Sequence, residues 1–535
     1  MDTLRHLILL AACALACSGC FSTNQGDANH ASTADGLIIY SGSENKGLEP
    51  LIQRFARYQG LTIDMQYKGS VDIALDLEQG TAIHADAVWP ANSLWLTLGD
   101  LHKVVKHEQS IMTSPVVFGV KRSVAEDLGW VGAEVSIQDI LAAAEAGKLR
   151  FAMTSATQSN SGASAYFGFL HAMAGQPPVL TAEHLADKQV QQQTARLLKL
   201  VNRSSGSSGW LKELMIQRYD DFDAMVNYEA MVIEANRELE RHGHEPLIAI
   251  YPIEGIMMAD SPLGYIDKGD ADKAAIFNRL MTYLQSPPVQ DEILALGRRT
   301  GLVGLNPDMV DEAVFNPAWA IDVSRVIAAI PTPAEPVIRR ALDLYQGGGL
   351  RKPSATAYVL DFSGSMGGEG EHQLKQAMGL LLDPTQSKRV LLQASQDDLH
   401  IVVPFDSAPR QILHMQGNAA AELHGMLQSI RSMQTGGGTN IYTAPAEAVR
   451  QLRAIDDLQR YNPAVILMTD GRSDGELAVL HQALATAGPS IPVFSIAFGD
   501  ADDRQLRQIS DATGARVFHS KGDLRKAFRK AKGYN

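Results

Sequence analysis

Past position 20 the chain has no cysteine: Cys13, Cys17 and Cys20 are the whole complement of a 535-residue sequence. Disulfides, thiolate nucleophiles and cysteine-based zinc sites are thereby excluded from the body of the protein. A basic excess is missing too. With 47 Lys+Arg against 60 Asp+Glu the formal net charge is −13. A surface of that sign repels phosphate backbones instead of releasing their counterions, which argues against nucleic acid as a partner. After the leader there is no run of about eighteen apolar residues, so no segment of the body reads as a membrane span. No repeat of fixed period is present. The phosphate-loop lysine motif, the G-x-S-x-G elbow and the H-E-x-x-H helix are all absent. No acid, base and nucleophile set emerges from spacing, and the expectation is a protein that is not an enzyme.

What is present is ordinary for globular protein: 45% hydrophobic and 20% charged residues, enough for large cores. The length suggests about three to four compact units. The N-terminus, "MDTLRHLILLAACALACSGC", places Arg5 and His6 before an apolar run from Leu7 to Ala16. That run is too short for a bilayer and suits the core of a signal peptide. Ser18 and Gly19 then precede Cys20. The segment resembles a bacterial lipoprotein signal, which implies cleavage after residue 19 and acylation of Cys20. Cys17 stands where that signal usually has leucine, and "LAAC" ending at Cys13 keeps the short pattern on a shorter apolar run. An ordinary secretory signal or an uncleaved anchor are the alternatives. Phe21, in place of an aspartate after the cysteine, points to the outer membrane within the cell envelope. Residues 1–20 are thus read as signal and 21–36, small and polar, as a tether.

From Leu37 to Ile330 short apolar runs alternate with helical patterns, which predicts α/β units. Strands are expected at Leu37–Tyr40, Leu61–Tyr67 and Phe151–Met153, with a helix from about Gly162. The three junctions "SGS", "KGS" and "TQSNSG" deliver Gly and Ser where helices begin, where free N–H groups and the helix dipole suit an anionic or carbonyl ligand. Simple N-capping by serine is the competing explanation at each junction. The stretches "YSGSENKG", "YKGSVDIA", "TSATQSNSG", "MVNYEAMVIEAN" and "YPIEGIMMADSPLGY" resemble the type II bacterial extracellular solute-binding fold. That resemblance implies two α/β lobes with a small-molecule ligand between them, and candidate contacts at Ser43, Ser70, Ser159, Ser161 and Tyr228.

"PTPAEP" at Pro331–Pro336, a helix over Val337–Tyr345 and the Gly-rich "QGGGLRKPS" make residues 331–353 a linker. The region 354–535 alternates again. Strands are expected at Ala355–Leu360, Leu399–Phe405, Ala464–Met468 and Pro492–Ala497. Helices are expected at His372–Leu382, Ala420–Met433, Ala444–Ile455 and Leu477–Thr486. In a parallel open sheet, ligands bind at the carboxyl ends of the strands. There "DFSGS" supplies Asp361, Ser363 and Ser365, "GGGTN" supplies Thr439, and "LMTDG" supplies Asp470. Hydroxyl and carboxylate oxygens without histidine or cysteine suit a hard cation: Mg²⁺, Ca²⁺ or Mn²⁺. Two carboxylates balance a divalent charge and a sparse protein sphere leaves a position open. Helix capping by the serines and a plain turn at "DG" are the alternatives for any one loop.

The ordered set resembles the von Willebrand factor A (VWA) domain with its metal-ion-dependent adhesion site. That resemblance implies a Rossmann-like, mainly parallel sheet and direct coordination by Ser363 and Ser365. It also implies direct or water-mediated coordination by Thr439, with Asp361 and Asp470 acting mainly through water. It further implies a protein partner that offers an acidic residue to a Mg²⁺ ion, with Ca²⁺ or Mn²⁺ as substitutes. A solute-sensing or solute-delivery lipoprotein is the second reading. Among weaker signals, Asp500, Asp502 and Asp503 read as an acidic helix start. His242 and His244 read as a solvated loop, and the basic tail "KGDLRKAFRKAKGYN" as an amphipathic helix covering the sheet.

Overall fold

The structure is a computed structural model and describes residues 36–301, 305, 310–473, 475–486, 488–499, 501–520 and 524–532. The signal, the tether to residue 35 and the lipidation candidate Cys20 lie outside the described residues. Three α/β sheets organise the chain. The first has strand order 62–68, 36–42, 87–89, 262–266, 105–110, and the second 258–259, 114–121, 224–228, 151–154, 201–205, with 247–250 also on 114–121. Between its strands the chain crosses from sheet to sheet twice, and after Ala295 it comes back to the second lobe with the helix Glu335–Gly347. It leaves the first sheet after Ser110 and enters the second at Ser114, then returns from Ala259 to Pro262. At the return, Ser261 adopts φ 44°. The indole N–H of buried Trp89 donates to its carbonyl at 3.1 Å and to its hydroxyl at 2.9 Å. The first lobe packs a core around Ile39, Phe55 and Phe277, while the core of the second, around Phe118, Phe151 and Phe169, also takes in Leu94, Trp95 and Leu98 of the first.

The linker helix Glu335–Gly347 buries Ile338, Leu342 and Tyr345 in the core of the second lobe, and the Tyr166 hydroxyl donates to its Ala341 carbonyl at 2.9 Å. The third sheet has order 413–416, 399–405, 354–361, 462–469, 493–497, 517–519, parallel except for the edge strand Leu413–Gln416. Its central strand Ser354–Asp361 is buried at every position, as expected when helices cover both faces. Tyr358 and Leu360 meet Leu374, Met378 and Phe528 on one side. Ala357 and Val359 meet Val449, Leu452 and Leu480 on the other. The last helix, Leu524–Lys532, buries Leu524 and Phe528 against the sheet, each such side chain worth about 1.5–3 kcal/mol. The tail thus covers the sheet as its pattern predicts.

The second lobe and the third sheet meet at the sheet's amino end, where Ser155, Gln158 and Ser204 share a cavity wall with Ser354, Asn462 and Lys532. There Lys532 Nζ donates to the Ser354 and Thr356 hydroxyls at 3.2 and 2.7 Å. Arg351 forks onto Asp398 at 3.0 and 2.6 Å. The loops carrying Asp361, Ser363 and Ser365 leave the opposite end of the same strand, roughly 23 Å away at about 3.3 Å per residue. No helix among the described residues is long and apolar enough to cross a membrane.

Candidate metal centre

The centre is built from backbone inward. The amide of Gly436 donates to the Phe362 carbonyl at 2.8 Å and that of Gly364 to the Gly437 carbonyl at 3.0 Å. These two bonds fasten the first and second loops together. Gly437 has φ +80°, a left-handed conformation suited to glycine. The first and third loops are joined by side chains. Thr469 donates its hydroxyl to Asp361 Oδ2 at 2.5 Å, and Ser365 donates to Asp470 Oδ1 at 2.9 Å. Ser363 and Ser365 hydroxyls lie 3.1 Å apart, and the Ser363 amide donates to Asp361 Oδ1 at 2.8 Å. Thr439 stands beside the third loop: a Cβ placed on Gly471 would lie 3.0 Å from its hydroxyl oxygen.

All five residues singled out in the sequence therefore gather at one end of the sheet. Asp361 and Ser363 are fully buried, Thr439 and Asp470 half-buried, and Ser365 is exposed. Burial pushes the Asp361 carboxyl above its ordinary range, and neighbouring Asp470 pushes the same way; hydrogen bonds from Ser363 and Thr469 oppose this. A carboxylate held up by desolvation and a second negative charge is relieved by a cation. No group of three or more His, Cys, Asp or Glu side chains that could hold a metal ion occurs among the described residues. This donor set is instead two carboxylates with hydroxyls, the all-oxygen chemistry of a hard divalent ion. It fits Mg²⁺, with Ser363, Ser365, Thr439, Asp361 and Asp470 as the residues that would hold it.

Two supports were not read from the sequence. Thr469, adjacent to Asp470 but on the alternate face of its strand, orients Asp361. Arg410 pairs with Asp406 at 2.8 Å and donates to the carbonyls of Gln434, Phe362 and Gly436 at 2.7, 3.2 and 3.3 Å. It braces the first and second loops from behind. Its sequence signal is only a lone arginine after a strand.

The serines singled out in the lobes have other partners than their own helices. None of Gly42, Gly69 or Ser159, the N-cap positions, makes a side-chain cap. Ser43, from the first lobe, accepts from the Ser207 hydroxyl at 2.7 Å and the Gly209 amide at 3.1 Å, both in the second. Ser159, Ser161 and Tyr228 are brought together: both serines share hydrogen bonds with Ser208, at 3.0 and 2.8 Å, and Asn160 donates to the Tyr228 hydroxyl at 3.2 Å. Asn160 also accepts from the first-lobe indole of Trp95 at 2.7 Å. Ser70 is apart from them, accepting from the Ala91 amide at 3.1 Å within the first lobe. His242 pairs with Glu238 at 3.0 Å on an exposed turn, and His244 stacks on Tyr219 at 4.3 Å.

Comparison with known proteins agrees with this division. Residues 37–299 match the family model described as bacterial extracellular solute-binding protein, and residues 357–530 that of the von Willebrand factor type A domain. Among curated proteins none matches the chain. Similar solved structures include a von Willebrand factor type A protein from Catenulispora acidiphila, 19% identical over 34% of this chain and 42% of that one, with TM-score 0.29. This chain thus spans less than half the length of that relative. The ferric binding protein from Campylobacter jejuni is 13% identical over 58% of this chain and 98% of that one, with TM-score 0.40. The sulfate-binding protein SubI from Mycobacterium tuberculosis H37Rv is 16% identical over 55% and 93%, with TM-score 0.39. Both kinds of domain are typically non-catalytic, and the first is by its description an extracellular module. The chain joins a bacterial extracellular solute-binding domain to a von Willebrand factor type A domain.

Proposed function

We propose that this is a non-enzymatic, lipid-anchored binding protein of the cell envelope whose VWA domain engages a protein partner through a divalent cation. The observation that carries the reading is the exposed Ser365 hydroxyl, bonded to both Ser363 and Asp470. It places an all-oxygen cluster at the surface, at the sheet end remote from the solute-binding lobes. When bound, Mg²⁺ supplies an open coordination position that a partner's Asp or Glu can fill. The chain's own residues do the rest. Asp361 and Thr469 fix the first loop against the third, and the Gly436–Gly438 backbone keeps the second loop close. Acylation of Cys20 would hold the chain at the membrane, the outer membrane being favoured, with the 21–36 tether giving the domains reach.

The test has two readouts. Mg²⁺ binding by the purified chain is measured by titration calorimetry, and capture of a partner from native envelopes is compared with and without chelator. Both are expected to vanish in Ser363→Ala. Capture that persists in chelator, or a Ser363→Ala chain that binds Mg²⁺ as wild type does, would count decisively against the reading.

A further inference from the structure

The first-lobe helix Ser70–Leu77 meets the VWA domain through Asp72, which pairs with Arg529. The carbonyl of Arg529 also accepts from Gln158 Nε2 at 3.3 Å. One step round the same helix and its cap, Val71, Ala74, Leu75 and Glu78 stand at the i, i+3, i+4 and i+7 spacing of a single face. These side chains line a cavity of about 290 Å³. Trp95 and Leu98 from the helix Leu94–Gly99, Leu342 from the linker helix and Leu391 from the VWA domain complete its apolar wall. Neither the metal centre nor the serines gathered about Ser208 contribute to it.

The wall is apolar and the rim is charged. Leu391 lines the cavity from a left-handed backbone, φ 54°, a conformation that costs a bulky side chain energy and that gathers at functional sites. On the rim Arg339 lies 3.9 Å from Glu78 and donates to the Leu98 carbonyl at 2.7 Å, and Lys388 lies 3.9 Å from Asp343. Two carboxylates thus answer two cations, and Arg389 is left over. It is exposed and makes no ion pair among the described residues. Its charge nevertheless reaches the cavity: burial raises the Glu78 carboxyl, and Arg339 and Arg389 both oppose that rise. Close-packed proteins leave few voids larger than a water molecule. Concave apolar sites with a few polar groups, placed between domains, are where small ligands bind, and this volume stands near their lower bound of about 300 Å³.

We propose that this cavity binds an amphiphilic monocarboxylate, in chemical class a medium-chain fatty acid, with its chain against Leu75, Trp95, Leu342 and Leu391 and its carboxylate at Arg389. A small inorganic anion would leave the apolar wall uncovered, and a cationic head would add to the excess charge on the rim. The one unpaired guanidinium, planar and forked, suits a single carboxylate. Because the first lobe, the linker helix and the VWA domain each supply part of the wall, the occupant ties the three together. The assignment is independent of the metal reading.

Decanoate is the probe, titrated calorimetrically into the full chain in chelator-treated buffer and below its critical micelle concentration. Saturable binding near one equivalent is expected, weaker by about fourfold for each methylene removed on going to octanoate and hexanoate. Leu75→Trp fills the cavity and is expected to abolish it. Arg389→Gln should weaken decanoate about fivefold, the worth of an exposed ion pair, while binding of decanol, which carries no charge, stays as in wild type. Absence of saturable heat, or equal decanoate affinity in wild type and Leu75→Trp, would overturn the site. Equal decanoate affinity in wild type and Arg389→Gln would overturn the carboxylate assignment. Should Leu75→Trp melt far below wild type, the comparison of decanoate with decanol in Arg389→Gln, a change at an exposed position, decides the question.

Discussion

Ser365 donates its hydroxyl to Asp470 across 2.9 Å, although 105 positions separate them in the chain. One residue belongs to the turn after the central strand and the other to the end of the neighbouring strand, paired with it in parallel from Ser354↔Asn462 to Leu360↔Met468. Parallel pairing in register brings both strand ends to one edge. The hydroxyl and the carboxylate then meet without further adjustment.

On the proposed reading, Mg²⁺ held at this edge would stabilise the VWA domain by mass action. At one hundred times the dissociation constant the gain is about 2.7 kcal/mol, or roughly 5–10 °C in the unfolding transition of a domain this size. Calorimetric scans with Mg²⁺ and with chelator are expected to differ by that amount in wild type. In Ser363→Ala and Asp470→Ala they should coincide. Coincident scans in wild type would remove the metal from the account.

Arg410 bears on the same site from behind its loops. Its guanidinium holds the Asp406 carboxylate and three loop carbonyls, a planar multidentate arrangement that an ammonium does not reproduce. Arg410→Lys is expected to weaken Mg²⁺ affinity about 10-fold, within the range for residues that orient ligands, while leaving the far-ultraviolet circular dichroism unchanged. An affinity equal to wild type would show that the loops hold themselves.

How much of this was legible follows from the range of the interactions. The paired serines of "DFSGS" and the loops at Thr439 and Asp470 were readable because strand ends and glycine turns are local patterns. The helix predicted from about Gly162 begins at Asn160, the usual uncertainty of a boundary. The edge strand Leu413–Gln416 went unread: "LHMQ" is short and lacks β-branched residues, and pairing with 399–405 creates it. The serines of the lobes read as candidate ligand contacts at helix starts, with capping as the alternative. Their actual partners, such as Ser207 for Ser43, stand far along the chain, where no local rule reaches. The tail helix showed the same division. Its Leu524 and Phe528 announced a buried stripe, but nothing in the sequence pairs Arg529 with Asp72.

Closure of the lobes hangs on one small residue. Gly69 has φ −70° and ψ 148°, open to any amino acid, so alanine brings no backbone strain there. Its methyl group would nevertheless stand 2.0 Å from the Gln158 carbonyl oxygen across the seam. Gly69→Ala is expected to hold the lobes apart, exposing the Gly209 amide that Ser43 accepts from. Hydrogen exchange at Gly209 should accelerate at least tenfold. Unchanged exchange would mean that the lobes close by another path.

Stability should also fall in mild acid, and His400 is the reason. Its ring is buried beside Tyr358, whose hydroxyl is 3.5 Å from Nδ1, while Nε2 has no hydrogen-bond partner. Burial lowers its pKa to about 4, with Lys532 and Arg351 pushing down and Asp398 pulling up. The unfolded imidazole titrates near 6.5, so between about pH 6.5 and 4 the unfolded chain binds a proton that the folded one refuses. Stability is therefore complete above the unfolded value and drains away as the pH falls, by about 3 kcal/mol in all. Asp398 does not interfere in this window. Arg351 holds its carboxyl well below the usual carboxylate range despite burial, so its own contribution is lost only at lower pH. Lys532, lowered to about 8 by burial, stays charged throughout. Urea midpoints of the VWA transition at several pH values should thus decline in wild type and flatten in His400→Leu, which has no proton to gain. An equally steep decline in the variant would assign the acid sensitivity to other groups.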